Sequence, residues 1–144
     1  MADSVSERVA AQYERYLYPP PLSDLSGAEA GARTESADPK YYAAKLWPEG
    51  LPRRNLRILS AGCGTNQAAH LAYSNPDCSV IGIDLSEASL ANERRLAQRH
   101  GLKNLKLERR NLLDLAGAPE RFDLIVCTGV LHHMEQPDEG LRAL

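Results

Sequence analysis

From Leu56 onward the chain is a succession of short apolar runs separated by stretches at helical spacing, and this alternation constrains its fold more than any other feature. Such runs read as parallel strands, and the stretches between them as the crossover helices that parallel strands require. The pattern predicts strands over Arg57 to Ser60, Ser79 to Asp84, Leu105 to Arg109 and Phe122 to Thr128. Gln67 to Ser74, rich in alanine and stopped by Asn75-Pro76, is expected to be the first crossover helix. The second has Ser86 as its N-cap and ends with Arg99 and His100 ahead of Gly101, where cations and a left-handed cap suit a helix C-terminus. A last helix begins near Pro137-Asp138 and is cut off at Leu144. The expected class is α/β, a doubly wound parallel sheet truncated after its fourth strand.

Residues 1–54 have a different character. They hold most of the prolines together with Tyr13, Tyr16, Tyr18, Tyr41 and Tyr42, and a helix is expected over Ser4 to Tyr16 before the breaker Pro19-Pro20-Pro21. This divides the chain into a helical Tyr/Pro-rich leader or lid segment, 1–54, lying outside the core, and an α/β domain, 55–144. Tyr13, Tyr16 and Tyr42 have two readings, closing over a ligand or packing on the sheet, and Trp47 suits a core or interface anchor.

A net charge of -2 over 144 residues, with no long block of either sign, argues against duplex DNA or anionic lipid as a partner. No run approaches the roughly 20 apolar residues that span a bilayer. The N-terminus carries Asp3, Glu7 and Arg8 where a secretion signal would be apolar, so a cytoplasmic protein is expected. Cys63, Cys78 and Cys127 lie in or beside apolar runs and are expected to be reduced and buried. They lack any Cys-x-x-Cys spacing, and no metal site is expected.

The chemistry gathers at the ends of the strands. Ile58-Leu59-Ser60-Ala61-Gly62-Cys63-Gly64-Thr65-Asn66-Gln67 runs from a strand through a glycine turn into a helix, where the backbone can approach a ligand closely. About 20 residues later, Gly82-Ile83-Asp84-Leu85-Ser86 ends the second strand on an acid, at the spacing of a carboxylate that binds ribose hydroxyls. Asp84 has a second reading as a helix cap, a role that Ser86 already fits. The third glycine of a dinucleotide turn, which allows close packing around a pyrophosphate, is replaced by Gln67, so a nicotinamide dinucleotide fits poorly.

Ala-Gly-Cys-Gly-Thr, Gly-Ile-Asp-Leu-Ser, Arg110-Asn111-Leu112-Leu113-Asp114 and the segment Phe122 to Met134 stand in the order and spacing of class I methyltransferase motifs. Over residues 56–144 the chain resembles the Rossmann-like, S-adenosylmethionine-dependent methyltransferases from motif I to motif IV. The resemblance implies S-adenosylmethionine as cofactor. It implies that Ala61, Gly62, Cys63, Gly64, Asn66 and Gln67 hold its methionine part and that Asp84 holds the ribose. Leu85 would lie against the adenine, with Asn111 and Leu112 at its edge and face. Thr128 and Gly129 would lie near the sulfonium, and His132 and His133 would look toward the acceptor. A complete domain of this family has seven strands, so the chain is expected to be the N-terminal part of one.

Two positions depart from the family pattern. Ser60 stands where an acid usually orders the turn and reaches toward the cofactor ammonium, and Asn111 stands where an aspartate commonly accepts from the adenine amine. Glycine turns without that acid resemble those of a bacterial subgroup with a Tyr/Pro-rich leader. The pair His132-His133 is read either as a general base or as pocket lining, and Cys63 as a small turn residue. The leading function is methyl transfer to an unidentified small-molecule or protein acceptor, without membrane or nucleic-acid partner and with homo-oligomerisation left open. The alternatives are a noncatalytic S-adenosylmethionine-binding or interaction module and, behind it, an NAD-dependent oxidoreductase.

Overall fold

The computed structural model describes residues 5–27 and 37–144. Its sheet consists of β1 (Arg57–Ala61), β2 (Ser79–Asp84), β3 (Leu105–Arg109) and β4 (Leu124–Val126), all parallel, in the order β3-β2-β1-β4. Helix α1 (Val5–Arg15) and helix α2 (Pro39–Leu46) precede the sheet. Helix α3 (Gln67–Ser74) joins β1 to β2, α4 (Glu87–His100) joins β2 to β3, and α5 (Pro137–Ala143) follows β4. Single 3-10 turns occupy Leu112–Leu115 and Leu131–His133.

Alternation along the strands supplies both faces of the sheet. Ile58 and Val80 pack with Ala68, Leu71 and Leu90 of α3 and α4. Leu59, Ala61 and Ile83 point the other way, onto Leu112, Leu115, Leu131 and Leu144. Burial on both faces is the reason these strands read as nearly continuous apolar runs. The chain moves outward from β1 to β3 and then returns to the far side of β1 as β4, so the order reverses between β1 and β4. In such sheets a crevice opens at that point, beyond the carboxyl ends of the strands.

Several elements differ from the sequence reading. β4 is shorter than Phe122 to Thr128, because its ladder with β1 ends at Val126. Before the strand, the Asp123 carboxylate accepts the Arg57 N–H at 2.7 Å and a bidentate contact from Arg53. β1 extends one residue further, Ala61 pairing with Ile83. Ser4, the expected start of the first helix, lies outside the described residues. Helix α2 is an addition to the expected elements, although Asp38-Pro39 is an N-cap followed by proline at the first helical position, and Asp38 Oδ1 accepts the Lys40 N–H at 2.9 Å.

The leader also departs from its expected place outside the core. Leu22 and Leu25 are buried against Ala69 and Leu96, and burying a leucine is worth about 1.5–3 kcal/mol. Arg95 donates to the Leu22 carbonyl and Arg99 pairs with Asp24 at 2.6 Å, tying the same segment along α4. No helix among the described residues is long and apolar enough to cross a membrane.

Both expected ends of α4 are present. Ser86 Oγ accepts the Ser89 N–H at 3.1 Å, and Gly101 closes the helix at φ 62°, where a Cβ would find no atom within 4 Å. A side chain there meets open space, so its cost is the left-handed backbone alone. Gly101→Ala is expected to lower unfolding free energy by about 1–2 kcal/mol in reversible denaturation without changing ligand affinity. A variant as stable as the parent would show that the cap contributes nothing.

Candidate functional site

The glycine turn after β1 is built by backbone pairing before any ligand is considered. The N–H groups of Gly62 and Cys63 donate to the Ile83 carbonyl at 2.8 and 3.0 Å, folding the turn back over the end of β2. Gly62 sits at φ 70°, and a Cβ on it would lie 2.3 Å from Val130 Cγ2. Gly64 lies at φ 60° directly beneath the leader, where a Cβ would meet Pro19 and the Tyr18 carbonyl at 3.2 Å. Thr65 Oγ1 donates to the Pro19 carbonyl at 2.7 Å, fixing the leader on the turn.

Two acids, half-buried Asp84 and fully buried Glu93, hold this turn from below. Asp84 Oδ2 accepts the Gly64 N–H at 2.8 Å and Oδ1 accepts the Ser86 N–H at 2.9 Å. Burial pushes its carboxyl above the usual aspartate range, opposed by the hydrogen bonds from Ser86 and Gly64. Glu93, fully buried on α4, accepts the Ala68 N–H at 3.0 Å and the Ala69 N–H at 2.7 Å. These are orphan amides of the first turn of α3, whose own N-cap, Asn66, makes no side-chain capping bond. Burial raises the Glu93 carboxyl to about 8 against the effect of those amides and of the Cys63 thiol. The Cys63 thiol is itself held well above its ordinary value by burial, Glu93 and Asp84, which keeps it protonated and unreactive as a nucleophile.

The position without the family acid is also occupied by a specific contact. Ser60 Oγ, fully buried, donates to Gln67 Oε1 at 2.6 Å. A neutral pair thus spans from β1 to the first residue of α3. Asn111 is likewise engaged, its Oδ1 accepting the Leu113 N–H at 3.0 Å as N-cap of the following 3-10 turn.

Helix α1 closes the opposite side. Tyr13 Oη and His133 Nε2 are 3.0 Å apart, with their rings edge to face. Burial, then Asp84 and Tyr18, raise the Tyr13 hydroxyl above its usual range. The next residue, Glu14, accepts from the N–H groups of Glu87 and Ala88 at the start of α4. α1 therefore bridges the carboxyl ends of β2 and β4.

Between these parts lies a cavity of about 350 Å³ at the strand-order reversal. Gly62, Cys63, Gly64, Asn66 and Gln67 line it from the turn. Asp84 and Leu85 line it from β2, Asn111 and Leu112 from β3, and Thr128, Gly129 and His133 from β4. Two expected residues fall outside the lining. Ala61 is fully buried in the core under the sheet face, and His132 is exposed, its ring stacked on that of His133 at a centroid distance of 4.0 Å. Val9, Ala10, Tyr13, Tyr18 and Pro19 of the leader contribute lining that the sequence reading leaves open or misses. It misses Glu93 as well. The signal for Glu93 is a lone acid among Leu90, Leu96 and Ala97, at helical spacing on an otherwise apolar stripe.

A family model described as a methyltransferase domain matches residues 52–144. The chain belongs to this methyltransferase-domain family. An uncharacterized protein of Synechococcus sp. is 39% identical over 150 residues, covering 100% of this chain and 34% of the relative. The ubiquinone biosynthesis O-methyltransferase of Pseudomonas fluorescens is 34% identical, over 60% of this chain and 37% of its own. Among solved structures, PKMT2 from Rickettsia typhi in complex with AdoHcy superposes with a TM-score of 0.60 at 25% identity, covering 74% of this chain and 22% of that one. The chain thus spans about a third of the length of the curated relatives cited, and the family's α/β fold is the one observed.

The turn geometry makes a steric prediction. Gly62→Ala forces a methyl group into Val130 from a left-handed backbone, so the methyltransferase domain should lose at least about 10-fold in ligand affinity by calorimetry. Unchanged affinity would mean that the turn moves freely and does not shape the cavity.

Proposed function

We propose that this chain is the cofactor-binding part of an S-adenosylmethionine-dependent methyltransferase. The observation that carries the reading is one cavity onto which a left-handed glycine turn, a strand-end carboxylate 20 residues on and the ends of β3 and β4 all open. The residues fit that cofactor. Each Asp84 oxygen accepts one backbone N–H, which leaves further lone pairs for the two vicinal hydroxyls of a ribose. Gly62 and Gly64 leave a cradle that a Cβ would fill. The third-glycine position of dinucleotide turns holds Gln67, tied to Ser60, and the first amides of α3 are already taken by Glu93, which argues against a pyrophosphate.

In this proposal Gly62, Cys63, Gly64, Asn66 and Gln67 hold the methionine part, Leu85 and Leu112 the adenine faces, and Thr128 and Gly129 the neighbourhood of the reacting sulfur. Asn111 meets the adenine edge through whatever its capping bond leaves free. When bound, the cofactor supplies a methyl group already activated by a positive sulfur. What the protein adds is alignment and exclusion of water, for which α1, pinned at Tyr13 and Glu14, serves as the covering element of the leader. On the acceptor side the catalytic role narrows to His133, whose Nε2 exchanges Tyr13 for an acceptor proton; His132, outside the cavity, is left out. The acceptor remains a small molecule or protein of unidentified class. The free thiols of the buried Cys63 and Cys78 suit a reducing compartment and support a cytoplasmic protein.

Calorimetry tests the reading directly: S-adenosylhomocysteine is expected to bind and NAD is not, and the reverse would overturn it. Asp84→Ala should weaken S-adenosylhomocysteine binding by about 10-fold to 150-fold, the range of a charge-assisted hydrogen bond. The same carboxylate sets an acid limit. Its raised pKa means that, as pH falls, Asp84 protonates earlier than an ordinary aspartate, so affinity should decline on acidification in the parent, above the pH at which an ordinary aspartate would protonate, and not in Asp84→Asn.

The Ser60–Gln67 bond makes a second prediction. Ser60→Ala removes the donor that orients Gln67, and Ser60→Asp sets an acceptor against its Oε1, so both variants should bind S-adenosylhomocysteine more weakly, Ser60→Asp the more so. Tighter binding by Ser60→Asp would show instead that the pocket is simply missing its acid.

A further inference from the structure

Glu93 enters the reading above only by occupying the first amides of α3, yet it is the most deeply buried acid beneath the cavity. Its side chain leaves α4, crosses to the N-terminus of α3 and places one oxygen on each of two amides, Ala68 N at 3.0 Å and Ala69 N at 2.7 Å. Cys63, whose thiol meets the same carboxyl, lines the cavity from the turn. An acid therefore sits one residue layer under the cofactor cradle, on the helix terminus that nucleotide-binding folds commonly present to a ligand's phosphates.

We propose that Glu93 is a specificity-determining residue of the cofactor site: its carboxyl group, seated on the first amides of α3, selects a ligand bearing a positive sulfur over the neutral-sulfur product and over pyrophosphate nucleotides. The inference rests on the methyltransferase reading and deepens it. Glu93 does not touch the ligand space, so it acts through charge and through the amides it occupies. A positive ligand in the cavity stabilises the ionised carboxylate and draws its proton off, while a ligand of zero net charge does not. Burial holds the group at about 8 in the free protein, so this exchange of protons falls near neutrality.

Other titratable and charged groups surround Glu93. Cys63 on the turn is held well above its ordinary value, and Asp84 at the end of β2 is raised by burial. On α3, His70 is turned toward Asp38, 4.0 Å away. On α4 itself Arg94 pairs with Glu87, while Arg99 and His100 meet Asp24 of the leader. β3 brings Lys106 and Glu108, paired at 2.7 Å, and α1 brings Tyr13, bonded to His133, and Glu14, bonded to backbone amides.

The test compares S-adenosylmethionine with S-adenosylhomocysteine on the intact protein by calorimetry from pH 6.5 to pH 9. The amino group that both ligands share, with a pKa of about 8, largely cancels in their ratio. The preference for S-adenosylmethionine should rise by at least roughly 5-fold across this range in the parent and stay flat in Glu93→Gln. Run in buffers of different ionisation enthalpy, S-adenosylmethionine binding near pH 7.5 should release protons from the parent, and S-adenosylhomocysteine binding should release fewer. Should Glu93→Gln fail to fold, the proton count is taken on His133→Gln, which removes the titratable side chain lining the cavity; the extra release should persist there, and its loss overturns the inference. A flat ratio with equal proton release for both ligands, or a Glu93→Gln protein that keeps the parental slope, overturns the inference and leaves the cofactor reading standing. Failure of the parent to bind either ligand removes the cofactor reading and this inference with it.

Discussion

The turn between β1 and α3 is held by carboxyl groups from two other elements, and the rest of the site is arranged around that restraint. Asp84 takes the Gly64 amide from the end of β2, and Glu93 takes two amides of α3 from the middle of α4. A turn with φ near 60–70° at both glycines leaves several N–H groups pointing inward. Left unpaired in a buried position each would cost about 1–3 kcal/mol. The acids remove that cost and in doing so fix the turn relative to the sheet before a ligand arrives.

Burying the acids is expensive in its own right, and the direction of both pKa shifts reports it: burial raises Asp84 and Glu93 alike. Such a cost persists where the arrangement serves a constrained geometry. The restraint propagates outward through short contacts. Ser86, bonded to Asp84, starts α4; Glu14 of α1 caps the same helix start; Tyr13 then reaches His133 beyond β4. Three of the four loops that border the cavity are linked in this way, through Asp84 and one helix of the leader.

The central βα alternation was legible because strands buried on both faces carry unbroken apolar runs, and because α4 displays ordinary signals at each end, Ser86 and Gly101. The cavity residues at strand ends were legible for a similar reason, since glycine and acid positions follow from local backbone demands. What escaped was set by partners distant in sequence. β4 is trimmed by Asp123 pairing with Arg53 and Arg57. Leu22 and Leu25 become core only because α3 and α4 present Ala69 and Leu96 to them. Glu93 reads locally as one more polar residue in a charged helix, and its role emerges only when α4 is laid against the start of α3. Ala61 and His132 fell out of the lining for the opposite reason: adjacent to motif residues, they face away, as alternation in a strand and the 3-10 turn require.

Ser60 and Glu93 act on the same turn from two sides. The family resemblance implies an acid at position 60, ordering the turn from the strand end. Here that place is neutral, closed by the Ser60–Gln67 hydrogen bond, and Glu93 reaches the start of α3 from α4. Asp84 and Glu93 hold the same turn, the charge of Asp84 adds to the raised pKa of Glu93, and both acids raise the Cys63 thiol. The pKa of a further acid buried beside them would be raised in the same way. The neutral pair at β1 ties the strand end to the first residue of α3 without adding to that charge.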